Sequence, residues 1–351
     1  MRNLPVLLAI VSLLFGCTTV GIDSRTYDWQ LKSLSWSPNG ERILYGGYDG
    51  NLRIRRVRNE ELITVHNTRT PFIIEVFWSP DGQRLLAITD RTIELLDTQG
   101  REILIMQTNP PLTSTPSPVF GPNNIRAEFN PGGTKLALGG WTDGRVQILD
   151  SQTGRIERTF TTIPKSVSSI SWSPNGKKIA VGAWDKTIRI FDLDSGKEEA
   201  IIGVELNGWV KVKFSPDGEW LAWNGFQSPT WLREIRSGSE HKIEVKSGTA
   251  AMDWRSDGKQ IAVLGWETLD IWNVASWEMD KRFTVMEWMD EVFWSPDGEY
   301  LVTLSHLSGR ASIWNVRTGK NKRMSDANPL GFSPDMKLIG IGSMVIPFSR
   351  F

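Results

Sequence analysis

The sequence offers little cysteine or histidine chemistry. Its 351 residues include one cysteine and three histidines. A single cysteine excludes an intramolecular disulfide and a thiolate metal site. His66, His241 and His306 lie far apart, and no metal-ligand spacing, nucleophile elbow or phosphate-binding glycine loop accompanies them. We therefore expect no catalytic residues, no metal and no cofactor, and a protein that is not an enzyme.

Net charge is also missing. Lysine plus arginine and aspartate plus glutamate each number 40, so no overall field favours an anionic polymer. We expect no nucleic acid partner. A local group of basic residues, Arg53, Arg55, Arg56 and Arg58, is interpreted as the solvated part of a strand and its following turn.

The N-terminal apolar run is too short to cross a membrane. It extends from Leu4 to Phe15, which is 12 residues, whereas a spanning helix needs about 20. It follows Arg2 and ends at Gly16-Cys17, the layout of a secretory signal peptide.

The segment Leu14-Phe15-Gly16-Cys17 resembles a bacterial lipobox. The resemblance implies cleavage before Cys17 and lipidation of that residue, including palmitate, which gives a signal peptide at 1–16 and a lipidated linker at 17–24. Because Thr18 rather than aspartate follows the cysteine, it also implies the periplasmic side of a bacterial outer membrane. The alternatives are the outer leaflet of the cytoplasmic membrane and a plain signal peptide with an incidental cysteine.

A five-residue motif recurs eight times along the rest of the chain. Each copy begins with Trp or Phe, and successive copies lie 38 to 51 residues apart, close to the 40 to 45 or so of a four-stranded propeller blade. The copies begin at Trp36, Trp78, Phe129, Trp172, Phe214, Trp254, Trp294 and Phe332.

The motif is a hairpin turn between two strands. In Ser173-Pro174-Asn175-Gly176, serine can accept a backbone bond, proline fixes φ, asparagine suits the third position and glycine takes the left-handed conformation. Residues alternate with period two before and after it, at Val167–Trp172 and Lys178–Gly182. Lys186–Asp192 and Glu198–Ile202 complete a four-stranded unit.

These units resemble WD40 repeats. The likeness rests on the turn, on Trp184-Asp185-Lys186-Thr187 before a third strand, and on hydrophobic-Asp or hydrophobic-Asn pairs that end third strands, such as Phe191-Asp192. No Gly-His pair precedes a first strand and no Trp-Asp dipeptide ends a third strand, so the family's polar tetrad is not carried over. The resemblance implies an all-β fold, a single WD40-like β-propeller at 25–351.

Blade number follows from the spacing. The 335 residues after the cleavage site give about 42 per blade for eight blades and about 48 for seven, and the former matches the motif. We expect eight blades, with Arg25–Trp29 as the fourth strand of the last blade and closing the ring. The alternative is seven blades and a C-terminal hairpin.

Thirteen of the 17 tryptophans fall into two groups. Those of the motif, with Trp272 and Trp314, are interpreted as packing between blades. The second group, six tryptophans with one tyrosine, lies in two sets of loops that a propeller brings together at the channel mouth, where aromatic side chains can anchor a partner. These candidate partner-binding residues are Trp29, Tyr48, Trp141, Trp184, Trp209, Trp266 and Trp288.

We therefore expect a membrane-anchored, non-catalytic scaffold that binds another protein in a bacterial cell-envelope assembly. The alternative is a glycan or small-ligand receptor that uses the same aromatic residues. The Pro/Ser/Thr-rich stretch 108–118 is interpreted as a surface loop without a binding role, and the alternative is a partner-binding arm.

Overall fold

The computed structural model describes residues 31–350 except 71, 108–125, 141–142, 162, 206–207, 226–227, 246–247, 307, 326–329 and 343. The signal peptide, Cys17, the expected closing strand Arg25–Trp29 and the loop 108–118 lie outside the described residues. Within the described part, no helix has the length and apolarity to cross a lipid bilayer.

The described residues form antiparallel sheets in which each strand pairs with the next along the chain. The first four sheets contain β1 (Leu31–Trp36), β2 (Arg42–Gly47), β3 (Asn51–Arg56), β4 (Leu62–Asn67); β5 (Ile73–Trp78), β6 (Arg84–Thr89), β7 (Thr92–Asp97), β8 (Glu102–Gln107); β9 (Arg126–Phe129), β10 (Lys135–Gly139), β11 (Val146–Asp150), β12 (Ile156–Phe160); β13 (Val167–Trp172), β14 (Lys178–Ala183), β15 (Thr187–Asp192) and β16 (Glu198–Gly203).

The remaining sheets contain β17 (Val210–Phe214), β18 (Trp220–Gly225), β19 (Thr230–Glu234), β20 (Glu240–Ile243); β21 (Thr249–Trp254), β22 (Gln260–Gly265), β23 (Thr268–Asn273), β24 (Met279–Thr284); β25 (Glu291–Trp294), β26 (Tyr300–Ser305), β27 (Arg310–Asn315), β28 (Asn321–Met324); β29 (Leu330–Phe332), β30 (Leu338–Ile341) and β31 (Met344–Pro347). A 3₁₀ turn, Phe348–Arg350, follows β31.

These sheets are the blades of an all-β, eight-bladed β-propeller, numbered here in chain order. Blades 1 to 7 have four strands and blade 8 has three among the described residues. The prediction of eight blades is confirmed, and the seven-blade alternative is wrong because β29, β30 and β31 form a blade of their own.

The hairpin turns have the geometry that their sequence predicts. In blade 1, Ser37 Oγ accepts from the Arg42 amide at 2.9 Å, and Gly40 has a φ of +71°. Blade 8 has Met336 in place of the glycine, and its φ is also positive, +60°. A side chain in this conformation is strained, so the turn geometry is set by the repeat and not by glycine alone.

The hydrophobic core lies between blades. One cluster, for example, joins Ile148 and Phe160 of blade 3 to Val167 and Trp172 of blade 4. The Trp172 indole nitrogen donates to the Glu128 carbonyl of blade 3 at 2.9 Å. The expected role of the motif tryptophans as packing between blades is therefore confirmed.

The interpretation of the basic group in blade 1 is partly wrong. Arg56 and Arg58 are exposed, as expected. Arg55 is only 4% exposed and lies 3.5 Å from the Glu60 carboxylate, and Arg53 pairs with Asp49. The strand buries alternate faces against neighbouring blades, so two of the four side chains point into protein rather than solvent.

Candidate functional site at the channel mouth

A cavity of about 350 Å³ lies in the central channel. Its walls come from the first strands of blades 2 to 7, together with Trp209 and Asp290 just before β17 and β25, and His306 after β26. Trp209, Asp290 and His306 lie in loops at the end of the ring where first strands begin, so the cavity reaches that end, which we call the top face. Its volume falls within the range of small-ligand sites.

One repeated position supplies most of the charge in this cavity. It is the residue three before the motif aromatic, and in a propeller the same position in each blade lies at one height. Going round the ring from blade 1 to blade 7, this position holds Ser33, Glu75, Arg126, Ser169, Lys211, Ala251 and Glu291.

Blades 3 to 5 form the cationic wall of the cavity. The Arg126 Nε donates to the Ser168 carbonyl at 2.8 Å. Among the described residues neither Arg126 nor Lys211 has a carboxylate within 4 Å, and Lys211 makes no hydrogen bond. Burial lowers the pKa of both groups, against the opposing effect of Glu75 on Arg126 and of Glu291 on Lys211.

Blades 7 and 2 form the anionic wall. His306 Nδ1 lies 2.6 Å from Asp290 Oδ1, and its Nε2 lies 3.3 Å from Glu291 Oε2. Burial acts to lower the His306 pKa, but the Asp290 hydrogen bond and the two carboxylates outweigh it and raise the pKa. Glu75 of blade 2 has no ion pair or hydrogen bond among the described residues, and burial raises its pKa.

A second charged group lies deeper, one residue before the motif aromatic. Lys213 of blade 5 pairs with Asp253 of blade 6, whose Oδ2 accepts from the Trp294 amide at 2.7 Å. Glu128 of blade 3 has a buried Oε2 without a hydrogen bond among the described residues. Burial raises the Glu128 pKa to about 7, although Lys213 opposes the rise. The described residues contain no cluster of three or more His, Cys, Asp or Glu that could hold a metal ion.

The candidate aromatic residues lie in the top loops, as expected for those that the structure describes. Trp266 and Trp288 approach across the boundary of blades 6 and 7, with ring centroids 6.3 Å apart. Tyr48 makes an edge-to-face contact with Phe72 of blade 2 at 5.6 Å. Trp184 is half-buried.

Trp209 lines the cavity but is only 8% exposed. Trp29 and Trp141 lie outside the described residues. Partner binding by the whole aromatic set stays a prediction.

The charged lining was not found from the sequence, although a signal was present. When the motifs are aligned, the position three residues before the aromatic holds the charged residues Glu75, Arg126, Lys211 and Glu291, all on first strands. Such residues are unusual where a strand is enclosed. Their common position indicates a shared, polar enclosure, which is the channel.

Comparison with known proteins agrees with this architecture. The model of the WD domain, G-beta repeat, matches residues 24–55 and 154–192. Actin-interacting protein 1 of Drosophila melanogaster is 26% identical over 91% of the chain and 54% of its own length. WD repeat-containing protein VIP3 of Arabidopsis thaliana is 26% identical over 46% of the chain and 53% of its own length.

A third relative is Retinoblastoma-binding protein 5 homolog of D. melanogaster, which is 27% identical over 60% of the chain and 45% of its own length. The chain thus spans about half the length of these relatives. The fold defines the protein as an eight-bladed β-propeller with a polar channel mouth. The family model and the relatives support the WD40 repeat family in particular.

Proposed function

We propose that the chain is a non-catalytic scaffold that binds a protein partner with its top face and is held at a membrane of the bacterial cell envelope by a lipid on Cys17. The observation that supports partner binding most directly is Met286, a large apolar side chain in the top loops that is 74% exposed.

Met286 lies in an aromatic setting. It precedes Trp288 by two residues in the loop between β24 and β25, and Trp288 packs against Trp266 of blade 6. An exposed methionine in a loop that also carries a tryptophan offers an adaptable apolar surface of the kind found at protein interfaces. A second exposed apolar pair, Tyr48 and Phe72, occupies the corresponding loops of blades 1 and 2.

The relatives support the general role. The names of two of them specify interaction with actin and binding to retinoblastoma, and proteins built from WD repeats act as interaction scaffolds. The membrane anchor is supported by the lipobox-like segment that ends at Cys17. The three relatives named above are eukaryotic and lend no support to an envelope location, which rests on the sequence segment alone.

Stacking of a glycan on the aromatic set has less support. Trp209, the described member of the set that lines the cavity, is 8% exposed and offers no open ring face. Trp266 and Trp288 pack on each other. The geometry therefore favours an apolar protein contact at the rim over sugar stacking in the channel.

A crosslinking pull-down from native membranes tests the scaffold. Met286→Glu places a charge on the proposed contact, and Met344→Glu is the matched control because Met344 is also exposed, at 58%, but on β31, the last described strand of blade 8. We expect one protein to be enriched by the wild type and by Met344→Glu and lost with Met286→Glu. Equal enrichment by all three proteins would contradict a contact at the top face.

The anchor needs a separate test. Cells fed a radiolabelled fatty acid should label the wild-type chain and not the Cys17→Ala variant, and only the wild type should sediment with membranes. Label in the wild type that survives in Cys17→Ala would contradict lipidation at this residue. Separation of inner and outer membranes then distinguishes the outer membrane from the outer leaflet of the cytoplasmic membrane.

A further inference from the structure

The cavity wall contains charges of both signs that have no ion-pair partner among the described residues. Arg126 and Lys211 have no carboxylate within 4 Å, and Glu75 has no cation within that distance, among the described residues. Partly enclosed charges are costly unless they are paired. A ligand that carried both an anionic and a cationic group could pair with the cations and with the carboxylate, and so relieve this cost.

The two signs lie on different blades, although Glu75 and Arg126 are on neighbouring ones and interact. Arg126 and Lys211 lie on blades 3 and 5, on either side of Ser169, whereas Glu75 and Glu291 lie on blades 2 and 7. The separation is incomplete, because Lys32 of blade 1 interacts with Asp290 and Glu75, and His306 contacts Glu291. The carboxylates of Glu75, Asp290 and Glu291 outnumber these two cations, so the wall of blades 7 and 2 is still anionic.

We propose that the channel mouth binds a small dipolar molecule with a carboxylate at one end and an ammonium group at the other, such as an amino acid or a short peptide. The carboxylate faces Arg126 and Lys211, and the ammonium faces Glu75 and Glu291. A planar guanidinium and an ammonium on either side of the Ser169 position can both face one carboxylate. The volume of about 350 Å³ accommodates a ligand of this size.

The pKa directions agree with this arrangement. Burial lowers the pKa of Lys211 and raises that of Glu75, so the charged form of each is disfavoured in the empty cavity. A bound group of opposite charge reverses both effects. This inference does not depend on the scaffold proposal, since it uses the channel wall and not Met286 at the rim.

Isothermal titration of the full-length protein with glycine, diglycine and triglycine is the direct experiment. N-acetylated triglycine lacks the ammonium, and triglycine amide lacks the carboxylate. We expect at least one unblocked probe to bind, and each blocked triglycine to bind about tenfold or more weakly than triglycine, since a charge-assisted hydrogen bond is lost in each. Absence of binding by all three unblocked probes would overturn the proposal.

Variants assign each end of the ligand to its wall. Lys211→Met should weaken the binding of triglycine about tenfold and leave the binding of triglycine amide unchanged. Glu75→Gln should also weaken the binding of triglycine about tenfold, but it should leave the binding of N-acetylated triglycine unchanged. Lys177→Met is the control, because Lys177 is an exposed lysine in the turn after β13, outside the cavity lining. If Lys211→Met and Glu75→Gln bind every probe as the control does, the assignment is wrong. Thermal unfolding of each variant shows that the fold is intact.

Discussion

The indole nitrogen of Trp36 donates to the carbonyl oxygen of Gly331 at 3.0 Å across 295 residues of chain. The bond joins β1 of blade 1 to β29 of blade 8, so the two ends of the described chain meet at the inner edge of the ring. It repeats the contact that Trp172 and Trp294 make with the blades before them. Ring closure thus uses the same bond as the joints before blades 4 and 7.

Replacement of Trp36 with phenylalanine should loosen this joint. The variant leaves the Gly331 carbonyl without its donor while keeping an aromatic ring. We expect amide hydrogen exchange in β29 and β30 to quicken more than in β13 and β14, which lie on the far side of the ring. Uniform quickening throughout the molecule would contradict a local role.

Two matched variants can isolate the energetic contribution of the hydrogen bond that a motif tryptophan donates to the preceding blade. Trp172 and Trp78 occupy the same repeat position and are 5% and 7% exposed, but the Trp78 Nε1 makes no hydrogen bond among the described residues. Trp172→Phe should therefore lower the free energy of unfolding by about 1 kcal/mol more than Trp78→Phe, measured with urea. Equal losses would show that ring packing, and not the bond, accounts for the motif tryptophan.

Gly100 should tolerate a side chain far less than Gly40. Both have positive φ, +81° and +71°, but a β-carbon at Gly100 would lie 1.9 Å from the Val65 carbonyl oxygen, whereas one at Gly40 would be 3.6 Å from Pro334 Cδ. We expect Gly40→Ala to lower the free energy of unfolding by about 1 kcal/mol and Gly100→Ala by about 3 kcal/mol or more. Urea unfolding of both variants checks the difference.

Glu128 should make the fold less stable as pH rises. Burial raises its pKa from 4.5 to about 7, so the folded protein retains a proton that the unfolded chain releases. The free energy of unfolding therefore falls by about 3 kcal/mol between about pH 4.5 and 7 and is constant above pH 7.

Glu128→Gln should remove this fall and be the more stable protein at pH 8, measured by urea unfolding at pH 5 and pH 8. The control is Glu157→Gln, whose carboxylate is on the outer strand β12 and is 37% exposed. If Glu128→Gln keeps the wild-type pH dependence, the buried carboxyl is not its cause.

Glu94 should stabilise the joint of blades 1 and 2 within a limited pH range. Its Oε2 lies 2.7 Å from His66 Nε2 and its Oε1 accepts from Thr92 at 2.7 Å. Burial acts to raise the Glu94 pKa, but the hydrogen bonds from His66 and Thr92 outweigh burial, so the Glu94 pKa is lowered. The hydrogen bond to Glu94 in turn raises the His66 pKa.

The stabilisation by Glu94 is lost as pH falls through its lowered pKa, and that by His66 as pH rises through its raised pKa. Glu94→Gln should thus lower the free energy of unfolding by about 3 kcal/mol near pH 6 and by less at pH 9. Glu61→Gln, which breaks a pair between exposed side chains, should cost below about 1 kcal/mol at both values.

The blades could be predicted from the sequence because each carries its own turn. The strands expected at Val167–Trp172 and Glu198–Ile202 match β13 and β16 to within one residue. Burial was harder to foresee: Arg55 lies in a strand whose neighbours are only known once the ring has formed. The same limit applies to Lys211 and Glu75, which are 136 positions apart in the sequence and share a cavity only through the closed topology.

The closed ring also shapes how the molecule can come apart. An open array of repeats has terminal units with a single neighbour, and these fray first. Here β1 and β29 cover each other through Trp36 and Gly331, so each blade packs against two others. Removal of any blade would expose two apolar faces at once, and unfolding should proceed as one transition for the entire propeller.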